Sequence, residues 1–311
     1  MTGRRVSESK ARALPYVALV TLALIWGASF LFIKVAVQDM SPEVLLLFRS
    51  TSGFTALAII LLVLGRPLFG PGWRTRVISF AIMAVTNAVI PWIAIAWGEE
   101  RISSGLASIL NSTTTLWTAV LIYWVVPSER PSPLNYFGVL LGFAGVVVLV
   151  YPDLAAHGIT GNVLGALAVV LASVSYAVNA LYQRRKMRSV SVFEVSLGQL
   201  AASVLFAIPI AAPTLGQLHV RFQSIAAVLT LGALATGVAY LLYYYVMNSL
   251  GAVRAAGVTL LVPITAVFWG VVLLNESVGA TTILGMVVIL AGIVMTNVRR
   301  SRRAVAEPRA A

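Results

Sequence analysis

The chain has 311 residues, of which 59% are hydrophobic and 10% charged, with a formal net charge of +12 and no cysteine. A soluble domain carries about 25% charged residues, so an ordinary water-facing globule is excluded, and without thiols so are disulfides and thiolate metal sites. Nucleic-acid binding is excluded by distribution, because Lys and Arg sit in short tracts between apolar runs, as juxtamembrane charge does.

A membrane helix needs about 20 mainly apolar residues, and ten such runs follow in chain order. The first, Pro15–Val37, is too long for the core of a cleavable signal peptide and is followed at once by another run; it carries Trp26 and, near its end, Lys34. The second, Val44–Leu64, holds Arg49, and the third, Val77–Trp97, holds Asn87, Pro91 and Trp92. The fourth, Gly105–Val126, contains the polar string Asn111, Ser112, Thr113, Thr114 and Thr115, then Trp117, and is followed by Glu129. Leu134–Tyr151 is the fifth. The sixth, Val163–Tyr182, carries Ser175, Tyr176 and Asn179. Val195–Ala212 is the seventh, and the eighth, Ile225–Met247, contains Tyr240, Tyr243 and Tyr244. The ninth, Ala255–Leu274, contains Pro263 and is followed by Glu276; Ala280–Val298 is the tenth. Continuous apolar runs predict helices, since barrel strands would alternate. The loops between them are short and leave no room for a soluble domain.

Orientation follows from where Lys and Arg fall. With the N-terminus in the cytoplasm, all but four of the 22 basic residues lie on the inner side. The outer loops hold only Arg101 and Arg221, while Lys34 and Arg49 lie within or at the edge of spans. A multi-pass protein of the inner cell membrane with both termini cytoplasmic is expected.

The halves repeat. Glu129 and Glu276, Gly138 and Gly285, and Gly145 and Gly292 share one offset, and the stretches Tyr136–Val148 (YFGVLLGFAGVVV) and Ile283–Met295 (ILGMVVILAGIVM) read alike. A slightly larger offset pairs Trp26 with Tyr176, Lys34 with Arg184 and Arg49 with Gln199. A unit of five spans is odd, so the second copy enters from the opposite face. The fold class expected is all-α integral membrane, ten helices as two inverted five-helix repeats. Such repeats are a common plan for secondary transporters.

The motif LIWGASFLFIK (Leu24–Lys34), the glutamates after the fourth and ninth spans and the shared Gly-x6-Gly of the fifth and tenth together resemble the drug/metabolite transporter superfamily, in its ten-span form of tandem EamA-type domains. The resemblance covers about Ala13 to Val298. It divides the chain into a cytoplasmic segment (1–13), a first five-helix repeat (14–152), a second (153–298) and a basic cytoplasmic tail (299–311). It implies metabolite export without naming a cargo. One departure is that Pro263 has no proline counterpart in the fourth span at Thr113–Leu116, so a bend there is not assured.

Arg49 is the sharpest single signal, because a charge inside a span is costly unless it faces protein or water. It reads as an anchor for an anionic substrate group, or as a snorkelling or carbonyl-bonded structural residue. Lys34, near a span end, reads as snorkelling to the interface. Asn111 is the member of its polar string least able to satisfy itself on its own helix; the hydroxyls of the others can bond backbone instead. Asn87, Ser175 and Asn179 are candidates on the same grounds, with Ser175 and Asn179 one turn apart on one face. Trp92, Tyr176 and Tyr240 lie deep in their spans, away from the interfacial belt, and complete the candidate cavity. Trp26, Pro91 and Pro263 are candidate structural or hinge residues. Glu129 and Glu276 each precede a span and would stabilise its positive N-terminus.

None of the ten acidic residues falls near the middle of a span, so a membrane-centred proton relay lacks its usual residue. Glu99 and Glu100, at the outer mouth, remain able to exchange protons. No phosphate-cradling loop is present. The reading is a secondary transporter that exports a small metabolite, an amino acid or similar amphipathic solute, by alternating access. The partners expected are that substrate and the bilayer, with no cofactor, no metal and no nucleic acid, and with oligomeric state open. The rivals are an integral-membrane enzyme, for which no acid–base or metal constellation is seen in the sequence, and a non-transporting scaffold.

Overall fold

The structure, a computed structural model, describes residues 2–125, 132–216, 220–251, 255 and 257–297. Ten helical spans follow the sequence reading to within a few residues at each end. They are α1 (Thr2–Ala36, with Ala13–Ala36 as its apolar part), α2 (Pro42–Val63), α3 (Trp73–Glu99), α4 (Ser104–Trp124), α5 (Pro133–His157), α6 (Gly161–Lys186), α7 (Val192–Leu215), α8 (Phe222–Leu250), α9 (Val258–Leu274) and α10 (Ala280–Asn297). Among the described residues nine are long and apolar enough to cross a membrane; α9 is a shorter apolar helix of 17 residues. Below, the near end of the bundle is the one where α1 begins, and the far end the one where it finishes.

The helices pack as a two-fold plan requires. Exchanging each span for the one five places on maps the pairs α1–α9 and α1–α8 onto α6–α4 and α6–α3, and maps α2–α7 and α5–α10 onto themselves; all of these pairs are packed together. The glycines sit on that pseudo-axis. A Cβ on Gly292 would stand 2.6 Å from the carbonyl oxygen of Gly138, and one on Gly145 would stand 3.0 Å from that of Gly285. Because Gly138 corresponds to Gly285 and Gly145 to Gly292, these two contacts are one contact seen twice. Small residues let α5 and α10 approach backbone to backbone, the main source of helix association where lipid offers no hydrophobic contrast.

Both third-in-repeat spans contain a π-turn, Val85–Val89 in α3 and Ala233–Val238 in α8. Such a turn bulges the helix and leaves a carbonyl for a neighbour. The repeat mates supply the donors. Trp26 Nε1 of α1 donates to the Ala235 carbonyl at 3.1 Å, and Ser175 Oγ of α6 donates to the Thr86 carbonyl at 2.8 Å. Pro91 comes two residues after its π-turn, and the wider turn, which contains the carbonyl four residues back, relieves the clash of its ring with that carbonyl. Pro263 lies inside α9, which runs on through it without a break.

The fourth span does break, although it has no proline. Its helical parts are Ser104–Asn111 and a second beginning at Thr114. The hydroxyls of Ser112, Thr113 and Thr114 each donate to the carbonyl three residues back, at 2.6, 2.6 and 2.8 Å. Ser173 Oγ of α6 reaches the Leu110 and Asn111 carbonyls at the same place. The polar string therefore serves the helix break, with hydroxyls capping the carbonyls that the break frees.

Candidate functional site

A cavity of about 490 Å³ lies between the two repeats, lined by residues of α1, α2, α3, α4, α6, α8 and α9. Its walls change character along the axis. At the far end they are Ile33, Ile95 and Ser108, exposed by 2%, 3% and 1%. Toward the near end the lining reaches Gln183, close to the end of α6, and the exposed Ala180 and Thr259. The cavity thus opens at the near end and is closed at the far end.

Arg49 projects into it from α2. Its guanidinium carbon lies 3.9 Å above the Trp92 ring centroid, the residue is 9% exposed, and its Nε makes no hydrogen bond. Cation–π contact of this kind offsets part of the cost of desolvating the charge, about 2 kcal/mol at a buried site. Beside it runs a chain of amides. Asn179 Nδ2 donates to Asn87 Oδ1 (3.1 Å), Asn87 Nδ2 to Gln199 Oε1 (3.2 Å), and Gln199 Nε2 to the Tyr240 hydroxyl (3.4 Å). This chain fixes amide orientations that would otherwise rotate, and it links α6, α3, α7 and α8. The Asn111 Oδ1 and Ser108 Oγ atoms of the lining are buried with no partner. Buried polar atoms without partners are few in folded proteins and need a reason. Aromatic faces supply the remaining wall, with Trp26, whose ring lies 5.6 Å from that of Tyr243, together with Tyr176 and Tyr240.

Of the residues singled out in the sequence, Arg49, Asn87, Trp92, Asn111, Tyr176, Asn179 and Tyr240 come together at this cavity, and Trp26 and Pro263 line it as well. Ser175 does not. Its hydroxyl is committed to the Thr86 carbonyl, so the face that presents Asn179 to the cavity turns Ser175 toward α3. Glu129 lies outside the described residues. The Glu276 carboxylate serves a different helix from the one that follows it. It accepts from Ser104 N (2.8 Å), Ser104 Oγ (3.0 Å) and Gly105 N (3.2 Å), and so caps α4 rather than α10. Gln199 and Ser108 were missed. Gln199 carried a signal, since the repeat offset pairs it with Arg49.

Three ties close the far end. Lys34, expected to snorkel, instead donates its ammonium to the backbone carbonyls of Glu99 and Ile102, joining α1 to the end of α3. Glu276 joins the α9–α10 turn to α4. Asp39, after α1, accepts from Arg221 Nε at 2.9 Å and from Ser224 Oγ at 2.5 Å at the start of α8. The Arg221 guanidinium and the Ser224 hydroxyl hold the Asp39 carboxyl down at about 2.

Residues 13–151 and 163–298 each match the EamA-like transporter family. The chain belongs to that family and is a multi-pass membrane protein of the drug/metabolite transporter class. An "Uncharacterized transporter YoaV" of Bacillus subtilis is 23% identical over 92% of this chain and 98% of that one. An "Uncharacterized inner membrane transporter YedA" of Escherichia coli K12 is 24% identical over 90% of this chain and 89% of its own. A solved structure described only as a crystal structure of a protein shares the fold, with a TM-score of 0.63 at 20% identity, covering 92% of this chain and 97% of that one.

Proposed function

We propose that the protein exports a small amphipathic solute bearing a carboxylate and a donor group, such as an amino acid, by alternating access around this cavity. What carries the reading is the set of unsatisfied polar atoms in the lining. Arg49 Nε is a cationic donor, while Asn111 Oδ1 and Ser108 Oγ offer acceptors. A zwitterion supplies a carboxylate to the first and an ammonium to the second. Trp26, Trp92 and the tyrosines suit an apolar or aromatic body. The volume lies within the range of small-molecule sites, about 300–1,000 Å³.

In this reading 14–152 and 153–298 are the two units that rock against each other, both termini are cytoplasmic, and the near-end opening faces the cytoplasm. The form described is then the one that loads cargo from inside. The test is reconstitution into liposomes and uptake and counterflow of a panel of labelled amino acids, for the wild type and for Arg49→Ala. The expected result is transport by the wild type and its loss in Arg49→Ala, with unchanged insertion and gel-filtration profile. Wild-type rates in Arg49→Ala vesicles would remove Arg49 from the site.

A further inference from the structure

Glu99 has no part in the cavity. It is the last residue of α3, one turn beyond the cavity-lining Ile95, and it is completely buried, at 0% exposure, with neither carboxylate oxygen hydrogen-bonded. Its neighbour in sequence, Glu100, is exposed and paired with Arg101 at 2.7 Å. Glu99 is thus not at a water-filled mouth, as its place between two spans suggests. It is enclosed by the far-end seal.

The groups around it make this burial informative. The charged side chains that face Glu99 are Lys34 from α1, Arg49 from α2 and Glu276 across the start of α4; at the same level α6 presents Val169 and the backbone of Gly165. Lys34 is close enough to bond the Glu99 peptide, yet its ammonium is spent on two carbonyls rather than on the carboxylate. Glu276 is a second carboxylate whose own bonds all go to α4. An ionised Glu99 would therefore sit in a dry seal with no hydrogen bond, between the Glu276 carboxylate and two cations that do not bond it, a state that proteins avoid by protonation or by ion pairing. Among the described residues no ion pair to Glu99 is made.

The geometry points to Glu99 as a proton-binding site of the far-end seal, loaded when that seal closes and emptied to far-side water when it opens. The step balances simply. A proton from far-side water adds to the carboxylate as the site dries, and on opening the acid returns it to water and is left as a carboxylate free to pair with Lys34. One proton taken up per closure links the access equilibrium to pH on the far side. This rests on the alternating-access reading above and adds to it a dependence of the access equilibrium on far-side pH, with no net proton carried across.

The test exploits the absence of native cysteine. Ile33→Cys places one thiol behind the seal, and its labelling by a membrane-impermeant maleimide from the far side reports opening without any substrate. With Glu99 present, labelling divided by the rate for the same thiol in the denatured protein at each pH, which removes the thiol's own ionisation, is expected to rise with pH by up to about tenfold per unit, the limit for one linked proton. In Glu99→Gln it is expected to be low and flat, while Glu100→Gln keeps the wild-type dependence. Difference infrared spectroscopy of the closed form gives a second readout, a protonated carboxylic-acid carbonyl band in the wild type that Glu99→Gln lacks. Wild-type pH dependence surviving in Glu99→Gln, flat labelling with Glu99 present, or no such band in the wild type would overturn the assignment. Because neither readout uses cargo, failure here and failure of the transport assay are separate results.

Discussion

Replacing Glu276 tests the link between the two repeats at the far end. Its carboxylate receives two backbone N–H groups and one hydroxyl from Ser104 and Gly105, at 2.8, 3.2 and 3.0 Å, and so satisfies the first turn of α4. Hydrogen bonds to a charged acceptor contribute about 1.5–3 kcal/mol each, and the favourable helix N-terminus adds up to about 1 kcal/mol. The three share one carboxylate and are not additive. Glu276→Ala also strands two N–H groups where Ser104 is fully buried, so a loss of about 3–5 kcal/mol is expected. Glu276→Gln keeps one acceptor oxygen and removes the charge, at about 1–2 kcal/mol. The assay is thermal unfolding in detergent, with far-side labelling of Ile33→Cys alongside. The melting temperature is expected to fall in the order wild type, Glu276→Gln, Glu276→Ala, and far-side labelling to rise in the same order, because the lost contact ties α4 to the α9–α10 turn. Unchanged melting and unchanged labelling in Glu276→Ala would refute the capping role.

Further outcomes follow from other contacts. Gly292→Ala drives a Cβ to 2.6 Å from Gly138 O and Gly142 N and is expected to cost about 1–3 kcal/mol, read as a lower melting temperature with no change in oligomeric profile. Asn111→Ala removes an acceptor that bonds no other protein group, so stability should hold while transport falls about tenfold, the equivalent of one hydrogen bond of about 1.4 kcal/mol. The Asp39 carboxyl is held at about 2, below its ordinary 3.8, so its clasp on Arg221 is at full strength above about pH 4 and is lost only as pH falls through the lowered value. Asp39→Asn should therefore leave the slope of Ile33→Cys labelling between neutral and mildly acidic pH unchanged while raising its overall level.

Much of the architecture was legible along the chain, for particular reasons. A bilayer allows few ways to satisfy backbone, so an apolar run of sufficient length is already a helix. The glycine pairs revealed the repeat because backbone contact between α5 and α10 tolerates no larger side chain. The break in α4 was not legible, since sequence rules look for proline there. The chain instead used consecutive hydroxyls, each bonding the carbonyl three residues back.

Side-chain destinations divide along the same line. Arg49 stood out because a charge within a span is conspicuous by itself, and its partner Trp92 was marked by depth. Ser175 and Asn179 share a helix face, and only the packing of α6 against the α3 π-turn decides that one bonds a peptide and the other faces the cavity. Glu276 could be placed beside a helix end, but which helix depends on how the far-end turns fold over one another. Glu99 is the furthest case. The sequence puts it at a span boundary, where carboxylates usually meet water, and tertiary contacts among α1, α3, α4 and α6 enclose it. Composition determined the solvent and the period of the chain determined its helices. Which polar atoms would be left without a partner was decided by three-dimensional packing, because hydrogen-bond satisfaction depends on neighbours distant in sequence.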